Sequence, residues 1–204
     1  MKKVLGPLLL VLLIAGCQPL VLVEPKRTSI EGAFSVEPQI AWSRGNPDLQ
    51  PAGTNTSRNP AQVWTADGFG IEQVRFYPGI ADGQVLAKQA DGAEKLPVFK
   101  KEMTATEVME LVEATLTRSD QSTLIEMHNL RPADFGGVPG FRFEITMTLK
   151  DELPRKAIVA GAIKNDRLYM ILYEGARVYY FDKYVDVAQR IIDSVQFPDV
   201  TAAK

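Results

Sequence analysis

The chain holds a single cysteine, and that residue, Cys17, stands directly behind a short apolar segment at the N-terminus. Lys2 and Lys3 precede the run Val4 to Ala15, which only Gly6 and Pro7 interrupt. A helix needs about 20 apolar residues to cross the hydrocarbon layer of a bilayer, and this run is closed by small residues before it reaches that length. Residues 1–16 therefore read as an export leader that is cut away. In an oxidising compartment a chain with one cysteine has no internal disulfide, so noncovalent packing alone must hold the fold.

The residues that close the leader, Ile14-Ala15-Gly16-Cys17, resemble the lipobox of bacterial lipoproteins. The resemblance implies cleavage before Cys17, a diacylglyceryl group on its thiol and a further acyl chain on the new amino group. At about 0.8 kcal/mol per buried CH₂ one chain anchors marginally, while two or more anchor stably. Gln18 follows where such proteins often carry an aspartate that marks inner-membrane retention, so the expected location is the periplasmic face of the outer membrane. Cleavage takes 16 of 204 residues and leaves 188, with 21 basic against 25 acidic residues and a net charge of −4. That balance argues against nucleic acid as a partner and offers no basic patch to anionic lipid heads. The expected partners are the membrane, through the acyl anchor, and an envelope protein or ligand whose identity the sequence does not give.

With 46% hydrophobic content in the full chain, the remainder holds enough apolar residues for one core. Residues 17–30, with Pro19, Pro25 and the charged Glu24-Pro25-Lys26-Arg27, are expected to form a lipidated tether, although Leu20 to Val23 could pair as an edge strand. The domain spans 31–198, and 199–204 is a tail. Short strands are expected at Ala33 to Val36, Ile40 to Trp42, Val63 to Thr65 and Gly70 to Tyr77, the last two joined at Asp67-Gly68. A polar loop, Ser43 to Pro60, separates them. Val108, Leu111, Val112, Thr115 and Leu116 fall at helical spacing over Ala105 to Arg118, and Thr104 with Glu107 forms a capping box. Glu107, Glu110 and Glu113 read as a solvated helix face. A strand follows over Thr123 to Asn129. Gly140 to Leu149 alternates strictly, with Phe141, Phe143, Ile145, Met147 and Leu149 on one side. Lys156 to Lys164 and Leu168 to Glu174 are apolar at nearly every position, as in central strands covered on both faces. A last helix, Lys183 to Val195, starts from Asp182 as N-cap. The sum is an α+β fold, an antiparallel sheet of about six strands packed with at least two helices.

Over Thr104 to Phe197 this order, with Gly140-Phe141-Arg142-Phe143-Glu144, Leu168-Tyr169-Met170-Ile171 and Ile191-Ile192-Asp193-Ser194-Val195, resembles the PsbP-like fold. The wider chain, through Val63-Trp64-Thr65-Ala66-Asp67-Gly68, Gly79-Ile80-Ala81-Asp82-Gly83 and Phe135-Gly136-Gly137-Val138-Pro139-Gly140, is similar to a group of proteobacterial lipoproteins. The resemblance implies an accessory, assembly or binding role, although a fold alone does not assign one.

Catalytic chemistry has few bearers. His128 is the only histidine, so a hydroxyl–histidine pair would have to use it, and nothing in the sequence orients it. With Cys17 committed to lipid, a cysteine nucleophile is excluded and a His/Cys metal site has too few ligands, so no metal and no cofactor is expected. Asp67, Asp82 and Asp91 each precede glycine, the chemistry of turns. Gly136-Gly137 with Gly140 lacks the strand-to-helix setting of a phosphate loop. Asn55-Thr56-Ser57 fits a glycosylation pattern that bacterial lipoproteins do not normally use. Trp42, Trp64 and Tyr173 are either core or the lining of a binding cleft between the loop Ser43 to Pro60 and the sheet. Two classes follow: a noncatalytic envelope module, favoured by the missing catalytic constellation, and an envelope hydrolase acting on cell-wall or lipid substrates through carboxylates or His128.

Overall fold

The computed structural model describes residues 20–45, 61–88, 92–119, 124–148 and 152–198. Ten strands and two helices follow in chain order: β1 (Leu20–Val23), β2 (Thr28–Ile30), β3 (Phe34–Val36), β4 (Trp42–Gly45), β5 (Gln62–Thr65), β6 (Glu72–Ala81), α1 (Ala105–Ser119), β7 (Leu124–Phe135), β8 (Val138–Thr148), β9 (Pro154–Lys164), β10 (Arg167–Ala176) and α2 (Tyr180–Asp193). Eight form one sheet in the order β1-β4-β5-β6-β10-β9-β8-β7, and β2 with β3 make a separate hairpin. Every pairing is antiparallel.

The sheet is thus wider than the expected six strands. The extra width comes from the short strands on the N-terminal side, β1, β4 and β5, each four residues long, which all join the same sheet. Leu20 to Val23 forms the edge strand that the sequence allowed for, and the stretch behind it is packed into the domain. Leu20–Val23 pairs with β4, Val23 and Ile30 are buried, and Arg27 holds Glu37 and the Ser194 carbonyl. Aliphatic burial and one guanidinium thus bind this stretch into the domain despite its prolines.

Layering follows from which face each strand buries. On one face α2 and the β2–β3 hairpin cover Trp42, Trp64, Val74, Phe76, Ala160, Ala162, Ile171 and Tyr173. On the other, α1 covers Phe141, Phe143, Ile145, Met147, Val159, Met170 and Leu172. β9 and β10 contribute to both cores, as their unbroken apolar runs require. Their turn, Asn165-Asp166, has φ of 50° and 60° at its two residues, the left-handed pair of a tight hairpin.

Two strands carry a proline well inside their length. β7 continues through Pro132 because it is the other edge of the sheet, where a missing N–H costs no ladder bond, and it shifts register between His128 and Arg131. β6 passes Pro78 because β5 begins only at Gln62, opposite Phe76, and has no pairing beyond it. α1 begins as expected, with the Thr104 N–H donating to Glu107 at 2.7 Å and the Glu107 N–H to Thr104 Oγ1 at 3.3 Å. α2 starts earlier than expected, at Tyr180, so Asp182 lies in its first turn and is not the cap. Phe181 is buried and stacks on Tyr173 at 5.6 Å, and this packing draws the helix start forward. Leu149 and Thr123 fall outside the described residues.

Candidate functional site

The β5–β6 turn and the start of α2 meet at one end of the sheet. Glu72, fully buried, accepts through one carboxylate oxygen from Thr65 Oγ1 (2.7 Å) and from the N–H groups of Ala66 (2.6 Å) and Asp67 (2.9 Å). Thr65 Oγ1 in turn accepts from the Gly68 N–H at 2.8 Å. The turn is therefore held from within by a carboxylate aimed at its amides. This fixes Asp67, whose carboxylate accepts from Lys183 Nζ at 2.6 Å and Tyr184 Oη at 3.0 Å. The lysine bond holds the Asp67 carboxyl below the usual carboxylate range, and Tyr184 reinforces it. Burial, the largest cause, pushes the Tyr184 phenol above the usual tyrosine range. The Ala176 N–H donates to the Ile71 carbonyl at 3.0 Å, so the β10–α2 turn is tied to the same corner. Together the two turns present Phe69, Val178 and Tyr179 to solvent at 46%, 84% and 57% exposure. A rigid, half-apolar corner of this kind can bind a surface; it carries no activated nucleophile.

The aromatic residues expected to frame a cleft lie elsewhere. Trp42, Trp64 and Tyr173 are all sealed in the core beneath α2, which corrects the cleft reading. Trp42 donates its indole N–H to the Pro38 carbonyl, Trp64 packs on Phe76 with ring centroids 4.4 Å apart, and Tyr173 Oη lies 2.8 Å from the Tyr180 carbonyl. Burial pushes the Tyr173 phenol well above the usual tyrosine range. Their large apolar surface and their satisfied polar atoms make them structural. The loop segment 46–60, Cys17, Asp91 and Asn55 lie outside the described residues.

His128 does gain neighbours. Its Nε2 stands 3.0 Å from Thr146 Oγ1 across the β7–β8 pair and 3.6 Å from Glu126 Oε2 on its own strand. Both contacts fall on the same ring nitrogen, whereas a hydroxyl–imidazole–carboxylate relay places hydroxyl and acid on opposite nitrogens. Asp82 accepts from the Lys101 N–H at 3.2 Å, tying together two segments 19 residues apart. Gly136 and Gly137, with φ of 64° and 80°, make the β7–β8 hairpin turn. Among the described residues no three His, Cys, Asp or Glu side chains gather as a metal site requires.

Two features escaped the sequence. A recess of about 270 Å³ is lined by Val63, Gln73, Arg75, Tyr77, Leu86 and Lys88 among others. Buried Glu174 accepts from two of these, Gln73 at 2.5 Å and Arg75 at 3.0 Å. Its one sequence signal is an acid inside the apolar run of β10. The exposed corner had no signal, since exposure of an apolar side chain depends on what the fold lays over it.

No family model and no curated protein matches the sequence. Among solved structures, the chain is similar to the solution structure of cyanobacterial PsbP (CyanoP) from Synechocystis sp. PCC 6803, with 14% identity over 90% of this chain and 95% of that one and a TM-score of 0.52. A point mutant of Mog1 aligns at 12% identity over 88% of this chain and 98% of that one, with a TM-score of 0.45. LpqN, involved in cell envelope biogenesis of Mycobacterium tuberculosis, aligns at 10% identity over 91% and 88%, with a TM-score of 0.35. The first likeness shows the fold: the antiparallel sheet with its two helices is PsbP-like.

Proposed function

We propose that this chain is a lipid-anchored envelope lipoprotein at the periplasmic face of the outer membrane, serving as a noncatalytic binding or accessory module. The observation that carries the reading is the junction of leader and domain. The first described strand begins at Leu20, three residues after Cys17, and is already part of the main sheet. Acylation of Cys17 would therefore fasten the folded domain itself to the bilayer, and two or more chains would make the attachment stable. No described helix is long and apolar enough to cross a membrane, so an acyl anchor supplies what the described helices do not. Gln18 supports the outer membrane as destination. The apolar corner of Phe69, Val178 and Tyr179 supports binding as the activity, and the placement of Glu126 and Thr146 on one nitrogen of His128 weighs against the hydrolase alternative.

Intact mass of membrane-extracted protein, beside a Cys17→Ala variant and with inner and outer membranes separated, tests the anchor. A chain starting at Cys17 with added acyl mass in the outer fraction is expected. An unmodified soluble chain overturns the anchor. Hydrolysis of an envelope substrate that His128→Ala abolishes without loss of folding overturns the noncatalytic assignment.

A further inference from the structure

We infer that Arg131 and Arg142, set side by side by a bulge in β7, bind a single carboxylate group, carried by a small molecule or by the C-terminus of a peptide. The bulge is the first observation. His128 stands opposite Glu144 and Arg131 opposite Arg142, so Asn129 and Leu130 together face only Phe143. One extra residue turns the later side chains of the strand to the other face of the sheet. Arg131 thereby joins Arg142 and Glu144 beneath α2, where a regular strand would have aimed it to the α1 side with Met127. Asn129 takes the left-handed backbone of the bulge, at φ 55°, a conformation that gathers at functional sites.

Charge and space supply the rest. Two arginines directly opposite each other repel, and the chain compensates one of them. Asp193 of α2 holds Arg142, while no acid among the described residues pairs with Arg131. Between them lies a recess of about 40 Å³, which Asn129 and Gln189 also line with amide groups. One water-sized sphere takes roughly 10–15 Å³ of such space, so the recess seats about three heavy atoms, the size of a carboxylate and less than that of a phosphate ester. A guanidinium presents paired N–H donors that match the two oxygens of a carboxylate. Glu144 stands in the same wall, and its charge opposes dianions, which again selects a monovalent acid. Arg131 and Arg142 against Asp193 and Glu144 sum to zero, so matched geometry and not net charge sets the affinity.

The inference gives the binding module proposed above its ligand class, and its test is separate from that of the anchor, which is read by mass. The full chain, isotope-labelled at arginine and held in detergent micelles, is titrated at neutral pH and constant ionic strength while the Nε–H resonances of Arg131 and Arg142 are followed. Sodium acetate is expected to shift both resonances saturably in the range of about 1–20 mM, and sodium chloride to leave them in place. Trialanine should act as acetate does, and trialanine amide should not. Trialanine binding about fivefold or more tighter than acetate assigns a peptide terminus, and equal binding assigns a small acid. Arg131→Gln should weaken acetate about tenfold. Asn129→Gly should weaken it about threefold with an unchanged melting temperature, because glycine adopts the same φ freely. Glu144→Gln should improve binding of inorganic phosphate about threefold. Shifts that rise linearly with acetate, or that chloride or the peptide amide reproduces, would show two solvated arginines and overturn the site while leaving the anchor standing.

Discussion

Thr65 donates its hydroxyl to Glu72 at 2.7 Å across the β5–β6 turn, with both side chains closed to solvent. The same Glu72 oxygen serves the Ala66 and Asp67 amides, so its removal strands three buried or half-buried donors. Glu72→Ala is expected to lower unfolding free energy by roughly 2–4 kcal/mol, because unmet buried donors cost more than the bonds are worth. Glu72→Gln, which keeps a carbonyl acceptor, should lose less. Urea denaturation of the three proteins checks the order.

The core placement of the tryptophans gives a sharper outcome. Trp42→Ala should cost about 3–5 kcal/mol, the range for deleting a large core aromatic. Native tryptophan fluorescence should resist iodide until the chain unfolds, since Trp42 and Trp64 are both buried. Ready quenching in the folded state would contradict this packing.

Backbone approach limits one position severely. A Cβ at Gly161 would stand 2.5 Å from the Tyr169 carbonyl oxygen and 3.1 Å from Met170 Cβ, between the two central strands. Gly161→Ala should therefore destabilise by at least about 1–3 kcal/mol. Gly45→Ala, where a Cβ meets nothing within 4 Å, should stay within about 0.5 kcal/mol of the parent. Thermal melts of both variants make the comparison.

The Asp67–Lys183 pair predicts a pH signature. Asp67 has a lower pKa folded than unfolded, so its contribution is present above the unfolded value of about 4 and is lost as pH falls through the folded value. The stability gap between the parent and Asp67→Asn should be level near neutrality and close in acid. Both side chains are about one-third exposed, so the gap is small, and paired urea titrations from neutral pH to pH about 3 are needed to resolve it. A gap that persists in acid would show that the pair contributes by packing and not by charge.

Particular residues show what the sequence could reveal. The strand from Gly140 was legible because Phe141, Phe143, Ile145 and Met147 keep a period of two against one core. The central hairpin was legible because burial on both faces leaves no polar positions to choose. The start of α2 was not, since Phe181 seats on Tyr173, a contact from another strand that outweighs the capping chemistry of Asp182. Trp42 and Trp64 read more readily as core than as cleft, but apolar area alone allowed both until the covering element was known. The exposed corner stayed hidden for the converse reason. Phe69, Val178 and Tyr179 are ordinary apolar residues in sequence, and only the layering of turn against helix leaves them uncovered.

The position of β1 also decides how the molecule meets force. Tension arriving from the N-terminal side enters the sheet at Leu20, in a four-residue strand paired on one side only, with β4. That ladder bears the load before any other, and its last catch is Val23, buried opposite Trp42. A tug would peel away this outer strand while the broad β6–β10–β9–β8 pairing stays closed, so the domain is built to yield at its seam and not through its centre.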